Sequence, residues 1–202
     1  MTIWRGKKPL ILASQSRARK MLLANAGLTF EAVPADIDER GLQQASKLSS
    51  PGEVAKLLAQ EKAAWVSARN AGHYVIGADQ TLALGNRLFN KPDSRAAAAE
   101  QLRILSGQTH ELHSAVAVAL DGSIVFEMVA VARMSMRPLS GEEIRLYLDE
   151  AGEAVTTSVG AYQLEGLGVH LFERIEGDHF TILGLPLLSL LAFLRRERLI
   201  GL

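Results

Sequence analysis

Three groups of side chains have the types and spacing that phosphate chemistry needs. The first lies in Leu10–Arg19, which reads Leu-Ile-Leu-Ala-Ser-Gln-Ser-Arg-Ala-Arg. Ser14 and Ser16 are N-cap residue types ahead of a helical pattern. A helix N-terminus offers unpaired N–H groups and the positive end of the dipole, which suit an anion. Arg17, Arg19 and Lys20 put three cations in the first turn, where the dipole disfavours them. A phosphate ligand would explain that placement. An ordinary strand–loop–helix with exposed basic residues is the competing reading. The second group is Asp79, reached through the apolar run Tyr74-Val75-Ile76 and a Gly77-Ala78 step. Ligands gather at the carboxyl ends of strands in α/β proteins. A carboxylate there can bind a metal or take a proton from water; capping a turn is the plain alternative. The third group is scattered. Asp36, Asp38 and Glu39 crowd three carboxylates into four positions, suited to a hard cation or to a solvated strand end. Glu61 and Lys62 interrupt an alanine-rich helix, as cleft residues or as a surface pair. Lys91 follows a strand pattern and is stiffened by Pro92.

The elements that must position these groups alternate along the chain. Leu10–Leu12 has the apolar character of a short buried strand, and a helix follows from Ser16 to Gly27. Leu28–Val33 reads as a second strand, and residues 40–50 as a polar loop. Ser50-Pro51-Gly52-Glu53 is a helix start, with Pro at the first helical position. The strand through Asp79 ends there, and a hairpin is expected through Gly85-Asn86. Ser94 caps the next helix. The Asp121-Gly122 pair predicts a tight hairpin between 110–120 and 124–136. Within the first of these strands His110 and His113 point to opposite faces, which argues against a shared metal. Ser140 with Glu143 is a capping-box pair ahead of a helix closed by Gly152. Gly160–Gly168 is glycine-rich around Tyr162 and Glu165, and lets a planar ligand approach the backbone. A last apolar helix follows Pro186, with Arg195 and Arg196 at its C-terminal end.

Composition narrows the functional classes. The 202 residues are 48% apolar, enough for a sizeable core. Lys plus Arg equals Asp plus Glu at 22 each, so the chain carries no whole-molecule basic field for nucleic acid. The absence of cysteine excludes disulfides, thiolate metal sites and Cys nucleophiles. No apolar run reaches membrane-spanning length, so a soluble, cytoplasmic protein is expected.

Four stretches together resemble the Maf (septum formation inhibitor) family. They are Leu12-Ala13-Ser14-Gln15-Ser16 with Arg19; Ile37-Asp38-Glu39; Gly77-Ala78-Asp79 with Asn90-Lys91-Pro92; and Glu165-Gly166-Leu167-Gly168 with Ile182-Leu183-Gly184-Leu185-Pro186. They occur in order from about Leu10 to Leu194, nearly the whole chain. The resemblance implies one domain over 1–202 with a mixed α/β body similar to inosine triphosphatases. That body has two lobes around a central cleft and a mixed twisted sheet. It implies a house-cleaning enzyme that cleaves a nucleoside triphosphate to the monophosphate and pyrophosphate with a divalent metal, Mg²⁺ or Mn²⁺. Homodimers are common in the family. On this resemblance Asp79 is the proton acceptor. Glu39, Glu61 and Asp79 are the metal-binding carboxylates. Ser14, Ser16 and Arg19 form the phosphate loop, and Lys62 and Lys91 supply cations. Many members read Ser-x-Ser-Pro-Arg-Arg in the first loop, where this chain has Arg17 for the Pro and Ala18 for the first Arg. The subgroup acting on thymidine and uridine triphosphates has Thr and Gln where this chain has Gln80 and Glu165. Those two residues resemble instead the subgroup acting on 7-methylguanosine triphosphate, which often carries Trp at the place of Ala18. Gln80, Glu165 and Ala18 are thus the expected base-pocket residues. A non-enzymatic nucleotide-binding regulator of cell division and an unrelated phosphate-binding module are the competing functions.

Overall fold

In the computed structural model, which describes residues 3–202, the N-terminal half begins as the expected strand–helix–strand. Strand β1 (Leu10–Leu12) is fully buried and leads into helix α1 (Arg17–Asn25). Ser16 is the N-cap and accepts the Arg19 N–H; Ser14, two residues earlier, accepts the Ser16 N–H. Strand β2 (Phe30–Ala32) pairs parallel with β1. Next comes helix α2 (Glu39–Ser46), where a loop was expected. Asp38 caps it by accepting the Gly41 N–H at 3.0 Å. Helix α3 (Pro51–Ser67) follows Ser50, then strand β3 (Val75–Leu84) and strand β4 (Arg87–Phe89), which pairs antiparallel with β3. Helix α4 is Arg95–Leu105, capped by Ser94. Strands β5 (Thr109–Leu120) and β6 (Ser123–Met136) are joined by Asp121 and Gly122, both at positive φ, the geometry of a tight hairpin. Helix α5 (Gly141–Ala151) carries the Ser140–Glu143 capping box. Three short 3₁₀ helices precede strand β7 (Phe172–Glu176), helix α6 (His179–Ile182) and helix α7 (Leu187–Arg196).

The fold is mixed α+β. Its seven strands are hydrogen-bonded in the order β2-β1-β3-β5-β6-β7, with β4 on β3. The chain divides into two compact units. One comprises Met1–Gln80, Ser114–Ala130 and His179–Leu202; the other comprises Thr81–His113 and Val131–Asp178.

The first unit buries both faces of its central strands β1, β3 and β5. On one face Leu10, Leu12, Ile76, Val116 and Val118 meet Leu23 of α1 and Leu190, Phe193 and Leu194 of α7. On the other, Ala55, Ala59 and Ala63 of α3 pack on Ala115, Ala117 and Ala119 of β5. These side chains are small, so helix and sheet come close. Gly77 shows how close: a Cβ there would overlap the Ala59 carbonyl oxygen and stand 2.6 Å from the Ala63 nitrogen. This contact puts Lys62 of α3 on the strand-facing side of the helix. In the second unit, His110 is fully buried and packs against Tyr162 and Phe172, with ring centroids 5.6 and 5.9 Å away. Among the described residues no helix is long and apolar enough to cross a membrane.

Candidate functional site

Asp79 does not end its strand. It lies midway along β3, which continues to Leu84 where it pairs with Arg87 of β4. The strand that does end here is β1. Leu12 is in register with Ile76, and beyond it the chain turns through Ala13–Ser16 into α1. The rule that ligands gather at strand carboxyl ends therefore points to the β1–α1 loop. Asp79 stands three residues beyond that register position.

Gly77 and Asp79 share the face of β3 that α3 covers, because strand side chains alternate. The Lys62 Nζ donates to Asp79 Oδ1 at 2.7 Å and lies 3.0 Å from Glu39 Oε2. Lys62 and Asp79 are each 11% exposed at the side chain, whereas Glu39 is 50% exposed. One ammonium is thus held between two carboxylates, one buried and one open to solvent. Burial pushes the Asp79 carboxyl above its ordinary range; Lys62 and then Arg19 pull it back. A carboxyl raised in this way has more affinity for a proton, which suits a general base.

Arg19 reaches the same region from α1. Burial lowers its pKa, with Asp79 and Glu39 opposing. Its Nε donates to the Gly184 carbonyl at 2.8 Å. Its Nη1 donates to the Ala78 carbonyl at 2.8 Å and to Ser14 Oγ at 3.3 Å. The guanidinium is planar, so fixing two of its nitrogens aims the third. Nη2 makes no hydrogen bond among the described residues.

Of the residues expected from sequence, the first unit brings together Ser14, Ser16, Arg19, Glu39, Lys62, Asp79 and Gln80. Gln80 sits on the opposite face of β3 from Asp79, and its amide nitrogen is committed inward, to Ser114 Oγ and to the Thr181 and Ile182 carbonyls. Glu61 is half-buried and, among the described residues, makes no ion pair or hydrogen bond with the Glu39–Lys62–Asp79 group; successive helical residues diverge by about 100°. Ala18 packs partly buried against the core that includes Leu10 and Leu12. Lys91 and Glu165 belong to the second unit. Lys91 is exposed beside buried Pro92, and Glu165 is exposed in the turn that the Gly166 N–H closes on the Gln163 carbonyl. Sequence reasoning missed Ser114 and Thr181; Ile182–Gly184 entered it only within a stretch that carries the family resemblance. The only mark of Ser114 in the sequence is a hydroxyl directly before the apolar run from Ala115 to Leu120.

The donor set can be tested against a hard cation. Glu39 and Asp79 present oxygens to one common cation, here the Lys62 ammonium. One or two carboxylates are what Mg²⁺ takes from a protein when phosphate oxygens and water supply the rest. Among the described residues no three His, Cys, Asp or Glu side chains gather as a metal group, so Glu39 and Asp79 would supply only part of such a shell.

Comparison with known proteins gives the following. Residues 9–197 match the family described as Maf-like protein. A relative from Bradyrhizobium diazoefficiens, named nucleoside triphosphate pyrophosphatase, is 74% identical over 201 residues, covering the whole of both chains. One of the same name from Rhodopseudomonas palustris is 66% identical over 201 residues, again covering both chains entirely. A relative from Rhizobium etli, named 7-methyl-GTP pyrophosphatase, is 54% identical over 188 residues, 92% of this chain and 94% of its own.

Proposed function

The chain belongs to the Maf family, and we propose that it hydrolyses a nucleoside triphosphate to the monophosphate and pyrophosphate as a cytoplasmic house-cleaning enzyme. The observation that carries this reading is Asp79: a buried carboxylate held by Lys62 at 2.7 Å, close enough to the aimed guanidinium of Arg19 for their charges to shift each other's pKa. A module that only binds phosphate needs cations. It does not need a buried carboxylate beside them, which would repel the ligand. A hydrolase does need one, because water must be oriented and deprotonated.

The residues divide the work as follows. Arg19, the Ser14 and Ser16 hydroxyls and the α1 N-terminus bind the phosphate oxygens. Asp79 accepts a proton from water as the water oxygen attacks the α-phosphorus. The bond from that phosphorus to the bridging oxygen breaks, and pyrophosphate leaves with the electron pair. Lys62 moves charge towards the leaving oxygens. A divalent metal, Mg²⁺ or Mn²⁺, would be held by Glu39 and Asp79 and would neutralise phosphate charge. The family resemblance assigns Glu61 to the acidic set, Lys91 to phosphate and Glu165 to the base. The match covers both units, and we read 1–202 as one functional domain.

Glu165 also bears on substrate. An ionised carboxylate only accepts hydrogen bonds, and guanine offers N1–H and a 2-amino group side by side. Thymine and uracil offer one N3–H between two carbonyls. A guanine-type triphosphate, N7-methylated as in the name of the Rhizobium etli relative, is the expected substrate. The test is a panel of 7-methyl-GTP, GTP, dTTP and UTP, assayed for pyrophosphate release with Mg²⁺ and Mn²⁺. The guanine nucleotides should be preferred at least tenfold in kcat/KM, and Glu165→Gln should narrow that preference. Asp79→Asn should lower kcat by about 10²–10⁴ with nucleotide binding retained. Near wild-type kcat in that variant would remove Asp79 from the mechanism.

A further inference from the structure

Helix α6 has only four residues, His179–Ile182, and its carbonyl end is held by side chains from distant segments. So short a helix cannot sustain itself and leaves its C-terminal carbonyls without helical partners. The Thr181 carbonyl accepts from the Gly184 N–H at 3.0 Å, from Ser114 Oγ at 2.7 Å and from Gln80 Nε2 at 3.1 Å. The Ile182 carbonyl accepts from Gln80 Nε2 at 3.0 Å, and that nitrogen also donates to Ser114 Oγ at 2.8 Å. Backbone carbonyls are acceptors only, so they fix which end of the Gln80 amide is the nitrogen.

The next link leads to the site. Gly184 closes this turn at φ +86°, and its carbonyl accepts from Arg19 Nε at 2.8 Å. Arg19 Nη1 in turn holds Ala78 and Ser14, leaving Nη2 aimed. The links run from Ser114 to Thr181, Gly184, Arg19 and Ser14. Ser114 has no exposed surface and is followed by five consecutive buried apolar residues. A hydroxyl there costs stability unless its bonds are made, and core packing alone would be served by alanine.

We propose that Ser114 is a positioning residue for triphosphate binding: it holds the Thr181–Gly184 turn so that the Gly184 carbonyl fixes the guanidinium of Arg19. This rests on the phosphate role given to Arg19 above. The experiment is steady-state kinetics on the full chain, with whichever of 7-methyl-GTP, GTP, dTTP and UTP wild type turns over fastest, and with Tm read alongside. Ser114→Ala should raise KM about tenfold with kcat within twofold of wild type. Ser114→Thr, which keeps the hydroxyl, should recover most of that loss. In the double variant with Arg19→Ala, KM should be no worse than with Arg19→Ala alone, because Ser114 acts through Arg19. Gly184→Ala disturbs the same link from its other end, since a Cβ there lies 3.3 Å from Arg19 Nη2. It should also raise KM, and it keeps the test informative if Ser114→Ala fails to fold. The proposal is overturned if Ser114→Ala lowers Tm without moving KM, or if the Ser114 and Arg19 losses multiply. If wild type turns over none of the four nucleotides, the functional reading falls first and this inference with it.

Discussion

His110 shows what a titratable side chain does when folding buries it with a single hydrogen-bond partner among the described residues. Its Nε2 lies 2.7 Å from the Tyr162 hydroxyl, and its Nδ1 is buried without a hydrogen bond. Burial lowers its pKa from 6.5 to about 4. The unfolded chain therefore binds a proton that the folded chain rejects, and the stability held by neutral His110 is lost as pH falls from 6.5 towards 4. A shift of that size corresponds to about 3 kcal/mol at full protonation. Denaturant unfolding of wild type and His110→Phe at pH 7.5 and 4.5 isolates the effect. Wild type should lose about 2 kcal/mol more than the variant over that interval; equal losses would mean that His110 takes up its proton in the folded state. At this scale the sequence was partly legible. Asp79, Arg19 and Lys62 stood out because charges beside apolar runs or in a helix's first turn need a reason. Ser114 did not, because a serine near alanines is unremarkable until its hydrogen bonds are known. Gln80, expected at a nucleobase, donates its amide nitrogen to the carbonyls of Thr181 and Ile182. No sequence pattern encodes contacts between residues about a hundred positions apart.

Elements with local signals were the legible ones. Ser16, Ser94 and Ser140 cap their helices as their types suggest, and Asp121-Gly122 makes its hairpin. Helix α2 escaped because it is short, polar on average and buries none of its residues, so it reads as a polar stretch; its Asp38 cap is a local cue. The end of β3 was misplaced for a related reason. Gly77 reads as a strand terminator, yet its lack of a side chain serves the approach of α3. That approach sets the distance between Lys62 and Asp79, so it can be tested by stability and activity together. Gly77→Ala should destabilise by about 3 kcal/mol, because the Cβ meets helix backbone that cannot yield as a side chain would. For a chain of this size that is a fall in Tm of roughly 6–12 °C. Tm unchanged, with full activity, would show that α3 can move away and that the Lys62–Asp79 distance is not set by this contact.

At the scale of the whole molecule, charge balance is itself informative. Cations and carboxylates are equal in number, so the chain has no net charge with which to attract a polyanion. On the proposed function, affinity for phosphate would come from a local arrangement: Arg19 held by carbonyls, and Lys62 held between Glu39 and Asp79. The membership of the Maf family and the identity to nucleoside triphosphate pyrophosphatases span both units, although the geometry of Asp79, Lys62 and Arg19 is contained in the first. The central claim is water attack at the α-phosphorus. Hydrolysis of 7-methyl-GTP in ¹⁸O-water, with products read by mass spectrometry, tests it most directly. One ¹⁸O should appear in the nucleoside monophosphate and none in the released pyrophosphate. Label in inorganic phosphate or pyrophosphate, with unlabelled nucleotide, would contradict it.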